Sequence, residues 1–338
     1  MKKTVFLGAL TVAGLAAGAS AAATLDDVKA RGVLNCGVNT GLVGFAAPDA
    51  DGVWGGFDVA VCRAVAAAVL SDANAVTFVP LTGKTRFTAL AAGEIDMLAR
   101  NTTWTFSRDN DLKFEFVGVN YYDGQGFMVP RELGVSSATE LDGATVCIQT
   151  GTTTELNLAD FFRSNNMSYD PVPIETNPEA QQQYLAGACD VYTTDASGLA
   201  ATRANFENPG DHVVLPEIVS KEPLGPVVRH GDNEWGDIVR WTLNALISAE
   251  ELGITSANIG ELSGGSNNPE INRILGTEGE LGAMIGLDGE WAKRALMVGG
   301  NYGEIFEANI GEATPIGLSR GLNAQWKDGG LLYSPPFR

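Results

Sequence analysis

Two periodicities alternate along the chain. Short runs with apolar positions at every second residue, V-L-N-C-G-V-N at 33–39, A-V-T-F-V-P-L at 75–81 and I-D-M-L-A at 95–99, predict strands. Between them, F-D-V-A-V-C-R-A-V-A-A-A-V-L at 57–70 keeps Val61, Val65 and Val69 or Leu70 on one side, and T-R-F-T-A-L-A-A-G at 85–93 ends in glycine. Both patterns predict helices, and Asp58 near the start of the first suits the helix dipole. T-L-D-D-V-K-A-R at 24–31 predicts a short polar helix, with Thr24 as its cap and Gly32 as its end. The order β-α-β-α-β means parallel strands with helices on the faces, and in such sheets ligands collect at the carboxyl ends of the strands. Asn39, Arg100, Asn101 and Thr103 all fall just past predicted strand ends.

The pattern then changes and restarts. Y-Y-D-G-Q-G-F-M-V-P at 121–130 suits an extended segment that leaves one sheet for another. D-G-A-T-V-C-I-Q-T-G at 142–151 predicts a strand and T-T-T-E-L-N-L-A-D-F-F at 152–162 a helix, capped by Thr152 or Thr153, with Glu155 at capping-box distance from Thr152. The free N–H groups of that helix start could hold an anion, or the helix could simply be well capped. A-Q-Q-Q-Y-L-A-G-A-C-D at 180–190 predicts a helix ending near Gly187, followed by the strand D-V-Y-T-T-D at 190–195. Its last residue, Asp195, suits either the N-cap of the next helix or the partner of a ligand ammonium. H-V-V-L-P-E-I-V at 212–219 predicts a strand, S-K-E-P-L-G-P-V-V-R at 220–229 a second crossing, and the stretch from Trp235 a long amphipathic helix. From about 258 the chain carries glycine-bounded helical pieces and an irregular tail with no catalytic pattern, for which a packing or partner-facing role is the expectation.

Composition narrows the chemistry. A length of 338 residues, 45% of them apolar, suggests about two domains. The formal charge of −19 argues against nucleic acid or an anionic membrane surface as partner. A bound anion would therefore be held by local arginines, and D-M-L-A-R-N-T-T-W-T-F-S-R at 96–108 packs two guanidiniums, an amide and several hydroxyls into one strand-to-turn passage. Taken alone, such a stretch could equally be a solvated loop. At the N-terminus, Lys2 and Lys3, an apolar run to about Gly18 and A-S-A-A-A at 19–23 predict a secretory signal cleaved near Ala22 or Thr24. Four cysteines fit export to an oxidising space and allow three pairings. Cys36 lies on a strand and Cys62 on the helix that follows it; Cys147 and Cys189 share the second block. With His212 and His230 as the only imidazoles, a zinc site lacks ligands. There is no G-x-S-x-G, and T-G-K-T at 82–85 has Phe78 where a phosphate loop needs glycine.

Taken together, the 96–108 run, Q-T-G-T-T-T-E at 149–155 and D-V-Y-T-T-D at 190–195 resemble the family 3 solute-binding proteins of amino-acid ABC importers, in particular those for Glu, Gln, Asp and Asn. T-R-F-T-A-L-A-A-G-E-I-D, Y-Y-D-G-Q-G-F and the R-G-L-N-A-Q-W end extend the likeness over nearly the whole mature chain. The resemblance implies a two-lobed α/β periplasmic binding protein fold that closes on one amino acid. It implies a signal peptide at 1–23, a first lobe from 24–120 plus 223–338, a second lobe from 126–218, and hinge crossings at 121–125 and 219–222. By the same resemblance Arg108 holds the ligand α-carboxylate, assisted by Thr103, the backbone at Asn101, and Thr152 and Thr153 from the other lobe, while Asp195 holds the α-ammonium. Arg86 and Arg100 become extra cations for a side-chain carboxylate or amide oxygen, with Gln149 and Thr194 as neutral donors or acceptors. Leu42 stands where many relatives stack an aromatic ring. Asn39 stands where relatives often carry an Asp for basic side chains, so Lys, Arg and His are disfavoured. The implied partners are an L-amino acid and the membrane permease of an importer, with no cofactor, no metal and a monomeric chain. An enzyme on the same fold, dehydratase-like, and a sensor for a membrane receptor are the rival readings.

Overall fold

In residues 23–338, the span described by the computed structural model, fourteen strands alternate with helices. The predicted leader lies, except for Ala23, outside the described residues. The first part carries α1 (Thr24–Arg31), β1 (Leu34–Val38), a small hairpin of β2 (Ala47–Pro48) and β3 (Trp54–Gly55), α2 (Phe57–Leu70), β4 (Val76–Pro80), α3 (Arg86–Ala92), β5 (Met97–Leu98), α4 (Phe106–Asn110) and β6 (Phe114–Phe116). β7 (Tyr121–Asp123) leads to β8 (Gln125–Pro130), β9 (Ala144–Gln149), α5 (Thr153–Ser164), β10 (Tyr169–Ile174), α6 (Asn177–Leu185), β11 (Val191–Asp195), α7 (Ala196–Ala204) and β12 (His212–Val214). The chain returns through β13 (Glu222–Leu224) and β14 (Val227–Arg229) to α8 (Asn233–Glu251).

Two five-stranded sheets result, ordered β4-β1-β5-β14-β6 and β10-β9-β11-β8-β12. In each, four strands run one way and one, β14 or β8, runs against them, so the molecule has two sheet-and-helix lobes. β7 and β13 pair with each other instead, in the register Tyr121↔Leu224, Tyr122↔Pro223 and Asp123↔Glu222. This antiparallel ribbon is where the chain passes between the sheets.

The sequence explains the placement of the first sheet. β1 is buried along almost its whole length, and at Gly37 a Cβ would stand 2.5 Å from Ile95 Cδ1 and 2.9 Å from both Leu81 and Leu98. Only glycine lets these side chains close over the strand. β5 is shorter than predicted, yet the ladder to β1 continues past both ends through Asp96 N to Asn35 O and Ala99 N to Gly37 O, both 2.9 Å. Trp235 of α8 is fully buried beneath it and donates its indole N–H to Asp96 O at 2.9 Å, which adds about 2–3 kcal/mol of apolar burial without an orphaned donor.

Several expectations need correction. β10 was not foreseen, because Pro171 and Pro173 interrupt it; prolines are tolerated where one side of a strand is unpaired, and β10 is the edge of its sheet. The strand expected over 212–219 stops at Val214. Arg108 lies on α4 and not in a turn, since the Thr105 hydroxyl caps that helix by accepting the Arg108 N–H at 3.3 Å. Glu155 reaches the Gly151 N–H at 2.7 Å, one residue before the Thr152 of the expected capping box.

Both disulfides form, Cys36–Cys62 and Cys147–Cys189, each within one lobe. The C-terminal segment adds α9 (Ile259–Leu262), α10 (Pro269–Ile274), α11 (Leu281–Met284), α12 (Trp291–Gly299) and α13 (Tyr302–Asn309) to the first lobe. α12 packs on α2, where Arg294 donates to the last-turn carbonyls of Ala67 and Ala68 at 3.1 Å each, a favourable place for a cation.

Candidate functional site

The carboxyl ends of β5, β9 and β11 converge from the two sheets on a narrow, nearly closed cavity. Arg86, Arg100, Asn101 and Thr103 line it from the first lobe; Gln149, Thr152, Thr153, Thr154, Thr194 and Asp195 line it from the second. All of these side chains are polar, and most are buried, which is costly unless something in the cavity answers them. The lobes already touch here. Asn101 Nδ2 donates to Asp195 Oδ2 at 3.2 Å, Thr103 and Thr153 hydroxyls lie 3.4 Å apart, and Lys84 pairs with Glu175 at 3.4 Å.

The cations are the distinctive feature. Arg86, Arg100 and Arg108 are each less than a tenth exposed, and none has a carboxylate within ion-pair distance among the described residues. Arg86 Nη1 donates to Thr102 Oγ1 at 3.2 Å, Arg100 Nε to Leu81 O at 2.9 Å and Arg108 Nη1 to Thr103 O at 2.9 Å. Arg86 Nε and Arg100 Nη2 are buried with no partner. Arg86 and Arg108 also lie over the Phe87 ring, 4.9 and 5.1 Å from its centre. Burial pulls Arg100 and Arg108 down to about 10, and burial with the neighbouring guanidiniums of Arg108 and Arg100 pulls Arg86 well below its ordinary value.

Carboxylates face them. Asp195 is buried, and although it stands at the N-cap position of α7 its side chain caps nothing; among the described residues it accepts only the Asn101 amide. Burial, with Asp123 and Glu222 nearby, pushes its carboxyl well above the ordinary range. An incoming cation would remove that penalty. On the same side, Thr152, Thr153 and Thr154 form the start of the twelve-residue helix α5, whose dipole and free N–H groups favour an anion. Thr152 does not cap the helix; its hydroxyl donates to Gln149 O at 2.7 Å.

Two expected residues stand one step behind the wall. Arg108 reaches the cavity through Thr103, and Asn39 through its 2.9 Å hydrogen bond to Asn101 Oδ1. The Asn101 backbone N–H, expected to face a ligand, is taken by Asp58 Oδ2 at 3.0 Å. This bond holds Asn101 in the left-handed region at φ 32°, which asparagine tolerates better than most residues. Leu42 is buried in the core of the first lobe.

Sequence reasoning missed Asp58 and Glu222. Asp58 also accepts from Asn120 Nδ2 at 3.3 Å, and burial raises its carboxyl to about 6. Glu222, buried in β13, accepts from Thr103 of the first lobe, from Thr153 and Asn157 of the second at 3.0 and 2.7 Å, and from Ser220 at 2.8 Å. It ties both jaws to the ribbon. Locally Glu222 follows the exposed Lys221 in S-K-E-P-L, and nothing in that short run distinguishes it from a solvated charge.

The chain is 68% identical over its full length to the full length of the glutamate/glutamine/aspartate/asparagine-binding protein of Rhodobacter capsulatus. It is 57% identical, again over both whole chains, to the general L-amino acid-binding periplasmic protein of Rhizobium johnstonii. Among solved structures, a periplasmic binding protein of an ABC transporter from Brucella ovis, with glutathione bound, superposes with a TM-score of 0.91 at 56% identity, covering 94% of this chain and 100% of that one. Residues 34–257 match the model of the bacterial extracellular solute-binding proteins, family 3, and the chain belongs to that family.

Proposed function

We propose that this protein is a periplasmic receptor that captures one polar L-amino acid, Glu, Gln, Asp or Asn, between its lobes and delivers it unaltered to the permease of an ABC importer. The observation that carries the reading is the pairing of unanswered charges around one cavity: buried guanidinium N–H groups of Arg86 and Arg100 from one jaw, and the buried Asp195 carboxylate from the other. A zwitterion with an extra oxygen-bearing side chain answers all of them at once. In this reading Asp195 takes the α-ammonium. Arg108, with a single internal hydrogen bond among the described residues, takes the α-carboxylate together with Thr103, Thr152, Thr153 and the α5 N-terminus. Arg86, Arg100, Gln149 and Thr194 take the ligand side chain, and Asn39 orients Asn101.

Groups from both lobes contribute, so the closed state gains contacts the open state lacks and ligand shifts the balance toward it. The ribbon of β7 and β13 supplies the hinge. The two disulfides and the predicted leader support residence in the periplasm, and the names of the two relatives support the ligand class. A thermal-shift screen against the twenty amino acids and glutathione tests the reading, since a ligand that binds only the folded state raises the melting temperature. Expected is a rise with Glu, Gln, Asp or Asn and recovery of the amino acid unchanged. No shift with any of them, or conversion of the ligand to product, would overturn it.

A further inference from the structure

The family match ends at residue 257, yet the segment beyond it reaches the hinge. Asn323, only 3% exposed, lies in the irregular tail. Its Oδ1 accepts the Tyr122 N–H at 2.7 Å and its Nδ2 donates to the Tyr122 carbonyl at 3.1 Å. Tyr122 is the middle residue of β7 and faces Pro223, which has no N–H and whose carbonyl accepts from Trp104 at 2.8 Å. The backbone groups of Tyr122 therefore belong to the other edge of the ribbon, and one primary amide does for that edge what a residue of a neighbouring strand would do.

The amide is itself held firmly. Arg320 donates twice to the Asn323 carbonyl, at 3.0 and 2.9 Å, and pairs with Glu250 of α8 at 2.9 Å. Its guanidinium lies 5.2 and 5.0 Å from the ring centres of Tyr302 and Phe306. One residue before β7, the Tyr302 hydroxyl donates to Asn120 O at 2.8 Å. Asn120 in turn bonds Asp58, which holds the Asn101 N–H beside the cavity.

We propose that the C-terminal segment is a strap on the first hinge strand. It makes residues 120–122 part of the rigid body of the first lobe, confines the swing to residues 123–124 and 220–222, and so sets how readily the lobes close. Asn323 is a positioning residue that acts through Tyr122. This inference rests on the receptor reading above.

The test uses full-length mature protein carrying Asn323→Ala or Tyr302→Phe. Dissociation rate and Kd are measured for the amino acid that gives the largest thermal shift. Separately, spin labels on Glu94→Cys and Asp160→Cys, one on each lobe, report the inter-lobe distance without ligand. A looser hinge lowers the fraction of closable molecules, so each variant should weaken binding by about three- to tenfold, chiefly through faster release, and widen the ligand-free distance distribution. A lowered melting temperature with unchanged Kd, release rate and distance distribution would reduce the segment to a structural appendage and overturn the proposal. If Asn323→Ala does not fold, Tyr302→Phe, which keeps the ring, decides the question. Should wild-type protein bind no amino acid, the receptor reading fails, while the distance distributions still decide for or against the strap.

Discussion

The side chains of Asn101 and Asp195 meet across the gap between the two sheets, amide to carboxylate at 3.2 Å, with no cation within ion-pair distance of the acid among the described residues. Closing the jaws therefore buries a carboxylate that has no direct ion partner. Asp195→Asn keeps the shape and the contact but removes the charge. Amino-acid affinity should fall by about 100-fold, on the order of 3 kcal/mol, while the ligand-free melting temperature holds or rises. Calorimetry beside a thermal scan checks both; affinity equal to wild type would take Asp195 out of the ammonium site.

Arg100 makes the converse case. One of its guanidinium nitrogens is buried without a partner, so Arg100→Met should leave ligand-free stability within about 1 kcal/mol of wild type or above it. The same change should narrow the preference for Glu or Gln over Ser by roughly tenfold, the worth of about one hydrogen bond to a charged group. A competition assay among these three amino acids measures it, and an unaltered ranking would remove Arg100 from the side-chain subsite.

Gly83, in the T-G-K-T turn, limits how far the jaws can close. A Cβ there would lie 2.7 Å from Thr150 O and 3.0 Å from Thr152 Cγ2, both on the opposite lobe. Gly83→Val should leave the ligand-free protein intact, because separated lobes relieve the clash, yet weaken ligand binding at least about tenfold. Small-angle scattering with saturating ligand should show little contraction. Lys84→Ala, by contrast, should matter little, since the Lys84–Glu175 pair is half exposed and such pairs contribute only about 0–1 kcal/mol.

Asp58 predicts an unusual pH response. Burial raises its carboxyl to about 6 from an ordinary 3.8, so the folded protein holds this proton where the unfolded chain releases it. Stability from this group is present below 3.8 and declines as pH rises to about 6, by an amount on the order of 3 kcal/mol. Burial also raises Asp123 to about 6, with the same sign. Asp142, Asp232 and Asp288 are held below the ordinary value by hydrogen bonds, so they lose stability only at more acidic pH. Denaturant melts from pH 4 to 7 should show the decline, and Asp58→Asn should make it shallower while leaving the part due to Asp123.

Much of the scaffold was legible because its signals are local. The helix read at 57–70 is α2 to the residue, as a fourteen-residue apolar stripe permits, and Gly93 ends α3 as read. β10 escaped because two prolines suppress the strand signal and its edge position, which makes them harmless, is a tertiary fact. Nine of the eleven residues singled out for ligand contact line the cavity, most of them just past the ends of parallel strands, although Asn101 does so with its amide and not with the expected backbone N–H. The supporting shell was not legible. Glu222 finds Thr103 across 119 residues of sequence and Asp58 finds Asn101 across 43, and no short motif encodes such meetings.

The two covalent bridges have a bearing on biogenesis. They close loops of 26 and 42 residues, and neither joins one half of the molecule to the other. Each bridge therefore needs only cysteines near it in sequence and can lock without waiting for the other half of the chain. Oxidation then hardens each half on its own and leaves the traffic between them unlatched.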